Sequence, residues 1–257
     1  TVNLKKAEDL KIEKIRMEKE LLTAQQIQEA LLPEKLPDSS GAEFGAYYSA
    51  QTESGGDYYD FIDLDNGQIG ITIADVSGHG VGSGLVMAMT RTLLHTYCTK
   101  TSNTKKILEA INDYLKRNTA SNYFVTMFYG ILDIGSKKLT YSSAGHCEPM
   151  IIRNGKILHL PAGGIALGAV SGDLFSRSIE IREIQLHKGD YFIQYTDGVD
   201  EAMDSDKNEF GLDRFEKALA ASDGKTPQDM VVSIVKEIEK FTGNIPQHDD
   251  ITMIIFR

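Results

Sequence analysis

The sequence predicts an α+β fold in which two antiparallel β-sheets pack face to face and helices cover their outer surfaces. Two groups of short runs rich in β-branched and aromatic residues predict strands, and a pair of helical patterns lies between the groups. A second helical pair precedes one last apolar run. Strands grouped in this way are typical of layered α+β domains. With 257 residues, 41% of them hydrophobic, the chain can bury one large core.

The first 36 residues differ in organisation and are predicted to form a linker helix ahead of a globular domain at 37–257. No Gly or Pro occurs before Pro33, and eight positions, six of them apolar, recur at a spacing of three and four. This pattern favours a parallel coiled coil that forms a homodimer, or a single helix that packs onto its own domain. The eight positions are Ala7, Leu10, Lys14, Met17, Leu21, Ala24, Gln28 and Leu31.

Within the globular domain, each predicted element follows from the spacing of apolar residues and from the turn residues around it. A turn at Asp65-Asn66-Gly67 joins two of the strands. The predicted strands are 44–51, 58–64, 68–76, 123–134, 138–143, 150–153, 156–160, 176–186, 191–196 and 251–256. The predicted helices are 81–101, 104–119, 212–221 and 227–241.

Charge and composition exclude several classes of protein. The net charge of −10 falls entirely on residues 33–257, because residues 1–32 carry six basic and six acidic side chains. An acidic domain without a basic stripe is not expected to bind nucleic acid. No apolar run reaches the roughly 18 residues of a membrane span. Two cysteines without pairing spacing and no signal peptide predict a cytoplasmic location. Since residue 1 is Thr, we expect the cytoplasmic part of a longer sensor protein.

Four aspartates on separate stretches of chain each occupy a setting that suits a metal ligand. Asp75 and Asp197 stand at the ends of apolar strand-like runs, and Asp249 stands just before the last one. Asp57 follows a Gly-Gly pair. Hard cations prefer several oxygen ligands on rigid elements, and carboxylates from separate strands supply them. The four together predict a magnesium or manganese centre.

Two other interpretations of these segments deserve comparison. Asp beside Gly is common in turns, and Asp197-Gly198 resembles a hairpin turn, but no alternating strand follows it. The Gly-rich run 78–84 follows a strand and opens a helix, as a nucleotide loop would. Its third glycine is displaced, and neither a Lys-Ser/Thr pair nor an acidic residue about 20 positions later is present. Nucleotide binding is therefore disfavoured.

Five motifs occur in a fixed order along residues 44–257, and the chain resembles the metal-dependent Ser/Thr protein phosphatases of the type 2C class. Within that class it is most similar to the bacterial branch of SpoIIE and RsbU. This resemblance implies a four-layer α-β-β-α sandwich. The motifs are Gly-Gly-Asp at 55–57, Asp-Val-Ser-Gly-His-Gly at 75–80, Ser-Ala-Gly-His at 143–146, Thr-Asp-Gly at 196–198 and Asp-Asp-Ile-Thr at 249–252.

The resemblance also implies roles for residues of the site. Asp75 is expected to bridge two Mn²⁺ or Mg²⁺ ions, with Asp197 and Asp249 completing one of them and acting with Asp75 as catalytic residues. The carbonyl of Val76 is a further expected ligand, and Asp57 would hold the second ion directly or through water. Asp250 is expected to lie behind Asp249, although the two neighbours could exchange roles.

A two-metal centre activates a water molecule for attack on phosphorus, so no covalent intermediate is required. Neither Cys98 nor Cys147 has the Cys-x5-Arg loop of a thiol phosphatase. His79 lies four residues after Asp75 rather than two as in eukaryotic relatives, so it is interpreted as a turn residue and not as the general acid. The resemblance implies a phosphoserine/phosphothreonine protein phosphatase whose substrate is a STAS-type anti-sigma-factor antagonist. A catalytically idle docking module and a phosphatase of small phosphomonoesters are the alternatives.

Overall fold

The computed structural model describes residues 2–51, 55–65, 67–78 and 80–257, and confirms the α+β sandwich. The helices are α1 Val2–Glu29, α2 Val81–Cys98, α3 Thr104–Asn118, α4 Gly172–Ser178, α5 Gly211–Ala221 and α6 Pro227–Thr242, with a 3₁₀ turn at Asp197–Val199. The strands are β1 Phe44–Ser49, β2 Tyr58–Asp63, β3 Gln68–Val76, β4 Val125–Asp133, β5 Lys138–Ala144, β6 Met150–Arg153, β7 Lys156–His159, β8 Arg182–Gln185, β9 Tyr191–Tyr195 and β10 Ile251–Phe256.

Ten strands form two five-stranded antiparallel sheets. The first sheet has the order β1-β10-β9-β6-β7 and the second the order β2-β3-β4-β5-β8. Between them lies an apolar layer. In it the ring of Phe192 stacks on that of Phe256, with 4.8 Å between the ring centroids, and is tilted relative to that of Phe128, with 5.6 Å between the centroids. Helices α2 and α3 cover the outer face of the second sheet, and α5 and α6 cover that of the first. Three buried layers therefore hold four layers of secondary structure together.

The predicted strand 176–186 is wrong over its first residues. Residues 172–178 form the short helix α4, and the strand there is limited to Arg182–Gln185. Seven residues are too few to show a helical period, so the alternation around Ser176 and Ser178 imitated a strand. Tertiary contacts decide the conformation, because Phe175 is buried in the core and Ser176 Oγ donates a hydrogen bond to Glu109 on α3.

The other predicted elements are confirmed, with ends that shift by a few residues. Strands β3, β6 and β10 have the predicted bounds, while the predicted helix 81–101 stops at Cys98 and the strand 123–134 is shortened at both ends. Asn66 of the predicted turn and His79 lie outside the described residues. Among the helices of the described chain, none combines the length and the apolar character that crossing a membrane requires.

The linker helix α1 has two different parts. Near its carboxyl end, Gln28 is buried, and Leu31 and Leu32 just beyond the helix pack against the core of the second sheet. Farther upstream, Leu10 is 58% exposed and Met17 is 59% exposed. The side chain of the predicted seam residue Ala7 lies outside the described residues. The end of the segment therefore packs onto its own domain, whereas the described upstream apolar side chains remain exposed.

Candidate metal centre

The strand topology brings all four aspartates to one end of the sandwich. Asp57 immediately precedes β2 and Asp75 lies at the end of β3, and these two strands are paired with Tyr58 opposite Ala74. In the first sheet, Asp197 follows β9 and Asp249 precedes β10. Because β9 and β10 are antiparallel neighbours, their ends meet at the same edge.

Asp57 is buried and joins the two sheets through hydrogen bonds. The hydroxyl of Thr196 donates to Asp57 Oδ2 at 2.8 Å, and the hydroxyl of Thr252 donates to the same oxygen at 2.5 Å. Burial, and next the charge of Asp75, raise the pKa of the Asp57 carboxyl well above its usual value. The two threonines thus fix the orientation of a carboxylate that has been removed from water at an energetic cost.

Asp250 is also buried, but its carboxylate is occupied by backbone groups. Its Oδ1 accepts a hydrogen bond from the Gln51 amide at 2.7 Å, and its Oδ2 accepts from the amides of Gly56 and Asp57, the latter at 3.2 Å. These bonds tie the Gly-Gly-Asp loop to the start of β10. Asp249, by contrast, is exposed, and its Oδ1 accepts only the Asp250 amide at 2.8 Å among the described contacts. The geometry favours Asp250 as the support behind a site that Asp249 faces.

Two glycines allow the motif segments to touch. A Cβ atom on Gly198 would overlap the carbonyl oxygen of Asp250. A Cβ on Gly56 would stand 2.6 Å from the carbonyl oxygen of Val76, which is closer than such atoms approach in proteins. Absence of a side chain at these two positions therefore lets the 3₁₀ turn and the Gly-Gly-Asp loop approach their neighbours closely.

The carboxylates at this edge share an uncompensated negative field. Burial, and then the charges of Asp197 and Asp249, raise the pKa of Asp75 to about 7. The pKa of Asp249 is likewise raised, because its carboxyl is partly desolvated although the residue as a whole is exposed, and because of the charge of Asp197. Among the described residues, no Lys or Arg forms an ion pair with Asp57, Asp75, Asp197 or Asp249.

This donor set suits a divalent cation, since oxygen ligands and excess negative charge are what Mg²⁺ and Mn²⁺ require. As the side chains stand, however, no three acidic, histidine or cysteine side chains in the described part of the chain are close enough together to hold one ion. Like-charged carboxylates repel one another until a cation compensates them. Binding of an ion by three of these side chains therefore requires side-chain movements.

The neighbouring histidine and cysteine are poor candidates for chemistry. His146 is buried, its Nδ1 lies 2.8 Å from Thr126 Oγ1, and burial lowers its pKa to about 3. Thr126 lies on β4 directly opposite Asp75 of β3, so His146 contacts the strand next to the one that carries this aspartate. Burial, and next Asp197, raise the pKa of Cys147 to about 12. A neutral imidazole and a protonated thiol do not provide a general acid or a nucleophile at neutral pH.

Several residues of the site were not singled out by the sequence. Thr196 and Thr252 lie inside recognised motifs, yet their role depends on a contact between sheets that the motifs do not reveal. Asp200 Oδ1 is buried without a hydrogen-bond partner in the described structure, and burial raises the pKa of that carboxyl. Gln28 of α1 donates a hydrogen bond to the carbonyl of Gly55, which connects the linker helix to the loop of Asp57.

Comparison with known proteins identifies related sequences. The family model for stage II sporulation protein E (SpoIIE) matches residues 65–257. Protein IcfG from Synechocystis sp. (strain ATCC 27184 / PCC 6803 / Kazusa) is 32% identical over 91% of this chain and 41% of its own length. Phosphoserine phosphatase RsbU from Bacillus subtilis (strain 168) is 30% identical over 93% of this chain and 70% of its own length. The chain thus spans less than half of the first relative and most of the second.

Solved structures share the fold. The SiaA-PP2C domain of Pseudomonas aeruginosa superimposes with a TM-score of 0.82, covering 95% of this chain and 98% of that domain at 21% identity. RsbX, solved in complex with magnesium, gives a TM-score of 0.64 over 86% of this chain and 98% of its own, at 18% identity. At these identities the similarity establishes the PP2C fold alone.

Proposed function

The protein belongs to the SpoIIE family of PP2C-type Ser/Thr protein phosphatases, and from that premise we propose that two Mn²⁺ or Mg²⁺ ions held by its clustered aspartates drive phosphoester hydrolysis. One observation carries the proposal: the fold gathers Asp57, Asp75, Asp197 and Asp249 at one edge, and no described Lys or Arg forms an ion pair with them. The magnesium complex of RsbX, which has the same fold, supports the choice of metal.

The proposed ligands are those that the resemblance to type 2C phosphatases implies, and the geometry is compatible with them. Asp75 would bridge the two ions, because the charges of Asp197 and Asp249 act on it from the other sheet and its own charge acts on Asp57. Asp197 and Asp249 would complete one ion, and Asp57 with the carbonyl of Val76 would serve the other. Asp250, whose oxygens are occupied by backbone amides, is proposed to hold the loop behind the ions.

Bound divalent ions supply a water of lowered pKa and neutralise phosphoryl oxygens. The chain contributes positioning: Thr196 and Thr252 hold the Asp57 carboxylate through hydrogen bonds, and the sheet edge fixes Asp75. Asp75, Asp197 and Asp249 are the proposed catalytic residues. The Cys147 thiol stays protonated, so the chain offers no thiolate there for a covalent phosphoenzyme.

Turnover of p-nitrophenyl phosphate with and without metal tests this proposal. We expect no hydrolysis in the presence of a chelator and recovery when Mn²⁺ or Mg²⁺ is added in excess. Phosphoserine peptides and a phosphorylated STAS-domain protein should then be compared with the small ester. A preference for the small ester over every phosphoprotein would favour a phosphomonoesterase, and no turnover under any condition would favour an idle docking module.

The proposed physiological substrate is a phosphorylated STAS-type anti-sigma-factor antagonist in a bacterial partner-switching system. The similarity to the phosphoserine phosphatase RsbU supports it, and the assignment rests on this relationship rather than on a site in the structure. A cytoplasmic setting is proposed for the same reason, and the free state of both Cys98 and Cys147 is compatible with it.

We also propose that α1 pairs with a second copy of itself and so regulates the enzyme. Its upstream apolar side chains are exposed, as an unpaired coiled-coil seam would be. Its other end reaches the loop of Asp57 through the hydrogen bond from Gln28 to Gly55. A rotation of paired helices would therefore act directly on the segment that presents Asp57.

The helix proposal predicts the oligomeric state and the activity of three proteins. The full chain should be dimeric, whereas a chain beginning at Pro37 and the variant Leu21→Asp should both be monomeric with altered turnover. A carboxylate at position 21 would be desolvated in the seam without a partner. Light scattering combined with turnover measurements checks this expectation.

Leu22→Asp is the matched control for that experiment. Leu22 is exposed and lies beside the predicted seam rather than in it, so the variant should remain dimeric. A monomeric full chain, or a dimer that tolerates Leu21→Asp as well as Leu22→Asp, would show that the helix is a passive linker.

A further inference from the structure

A cavity of about 320 Å³ opens beside the aspartate cluster, between α6, the 3₁₀ turn and the loop that leads into β10. Its volume lies near the lower end of the range of about 300–1,000 Å³ that is usual for ligand pockets. Apolar and polar surface contribute to its wall in nearly equal shares, with a small excess of apolar surface. The apolar residues that line it include Met203, Val235, Ile238, Ile245, Pro246 and Ile251.

This cavity adjoins the proposed metal centre. Asp249, a proposed metal ligand, forms part of its wall, and so does Gly198, which directly follows Asp197. A larger groove of about 700 Å³ between α5 and α6 shares no residue with the aspartate cluster. Of these two cavities, only the smaller one adjoins the proposed metal centre.

Hydrogen bonds within the protein fix the loop that forms one wall of the cavity. Helix α6 ends at Gly243, whose φ of +61° turns the chain outward into the loop. Gln247 then fastens this loop to β1, because its Nε2 donates to the Ser49 carbonyl at 2.8 Å and its Oε1 accepts from Ser49 Oγ at 3.0 Å. The same Nε2 donates to the Asp249 carbonyl at 2.6 Å. A cavity formed before binding reduces the entropic cost of filling it.

The chemistry of the wall selects the occupant. Apolar surface gains about 25 cal/mol for each Å² removed from water, and Ile245 at the outer wall is 40% exposed. The wall carries two acidic side chains, Glu239 and Asp249, against one imidazole, that of His248, and no Lys or Arg, so an anion such as a phosphate group is disfavoured. An apolar side chain is the occupant that both properties favour.

We propose that the cavity is a substrate subsite that takes one apolar side chain of the phosphoprotein, from a residue close to the phosphoserine. This inference rests on the proposed two-metal function, because the phosphoserine must be anchored at the aspartates. An extended peptide advances about 3.3–3.6 Å for each residue. Since Asp249 belongs to both the metal centre and the cavity wall, the apolar residue should lie within about three positions of the phosphoserine.

A series of phosphoserine peptides tests the subsite. In an alanine background, each of the three positions on either side of the phosphoserine is replaced in turn by Leu or by Asn, which has a similar size but is polar. For the unmodified protein, we expect one position at which the Leu peptide has a kcat/KM about tenfold higher than the Asn peptide. A factor of about ten is the smallest discrimination usual for a contact in an apolar pocket.

Val235→Phe fills the cavity and should reduce this ratio to near one. Val232→Phe is the matched control, because Val232 lies on the same helix, is 43% exposed and does not line the cavity. It should keep the ratio. Ile245→Asp gives a second test at an exposed wall position, where a charge should remove the preference for Leu without a packing change in the core.

Turnover of p-nitrophenyl phosphate separates the two levels of the proposal, because this ester has no flanking residue. It should be the same in the unmodified protein and in all three variants, which also shows that they are folded. If the small ester is hydrolysed but Leu and Asn peptides are equivalent at every position, or the ratio survives in Val235→Phe and Ile245→Asp, the subsite is overturned alone. Failure to hydrolyse the small ester with either metal would overturn the proposed mechanism and the subsite with it.

Discussion

Replacing Asp75 by Asn is expected to remove most of the phosphatase activity and to weaken the binding of both metal ions. Loss of a residue that only supports a metal ligand typically lowers metal affinity or activity by about 10–100-fold. Since Asp75 is proposed to contact both ions, we expect its replacement to lower turnover by more than about 100-fold. The amide has nearly the volume of the carboxylate, and the pairing of Asp75 with Thr126 uses only the backbone of β3 and β4. The fold should therefore remain intact.

The same variant should not lose stability in the presence of a chelator. Burial and the neighbouring carboxylates raise the folded-state pKa of Asp75 to about 7, above that of the unfolded chain. Between the unfolded value of 3.8 and about 7, the metal-free folded protein keeps a proton that the unfolded chain has lost, so its stability falls as the pH rises through this range and stays lowered above it. An uncharged Asn at this position should melt at the same temperature or higher at pH 8.

Calorimetric titration of Mn²⁺ into both proteins, combined with turnover, checks the expectation. Asp113→Asn, at an exposed position on α3, provides a control for the change of charge alone and should bind and turn over normally. Equal affinity and stoichiometry in Asp75→Asn and in the unmodified protein would show that Asp75 is not the bridging ligand.

The sequence predicted the parts of the site that are encoded locally. The apolar runs that end at Asp75 and Asp197 form β3 and β9. A residue that follows an apolar run lies where its strand ends, and this holds for any order of the strands in the sheet. Strand pairing then decides which edges meet. The sequence pattern alone does not define that pairing, and the resemblance to type 2C phosphatases supplied it.

Contacts between distant segments were beyond the reach of the sequence. The position of Asp250 became clear only from its bonds to the amides of Gln51, Gly56 and Asp57, about 200 residues earlier in the chain. The role of Thr196 and Thr252 in orienting Asp57 was equally hidden, because a Thr in or beside a strand is usually explained by its β-propensity alone. Helix α4 was missed because packing of one phenyl ring, that of Phe175, determines a segment too short to have a period.

In the linker helix, residues of one periodic pattern have two different environments. The same three-four spacing continues from Leu10, which is exposed, to Gln28, which is buried against the domain. Periodicity reports that one face of a helix is apolar, but it does not say which surface covers that face. The hydrogen bond from Gln28 to the Gly55 carbonyl joins the end of the helix to the loop of Asp57, which is the connection that the proposed regulation requires.

Asp249→Ala and Asp250→Ala are expected to fail in different ways. Loss of Asp249 should remove one metal ion and most of the turnover while leaving the melting temperature in chelator nearly unchanged, because its exposed carboxylate makes a single described hydrogen bond. Loss of Asp250 should leave buried amides without an acceptor and lower the free energy of unfolding by about 1–3 kcal/mol. Its turnover, measured on folded protein at saturating Mn²⁺, should fall much less.

The conservative variant Asp250→Asn separates support from ligation. Its carbonyl oxygen can still accept from the Gly-Gly-Asp loop, so it should recover part of the stability lost in Asp250→Ala without any change in metal stoichiometry. Thermal unfolding in chelator and Mn²⁺ titration of the three variants give both quantities. If Asp250→Ala and Asp250→Asn each lose one metal ion while Asp249→Ala retains both, then Asp250 is the ligand and the hydrogen bonds from Gln51, Gly56 and Asp57 must open when metal binds.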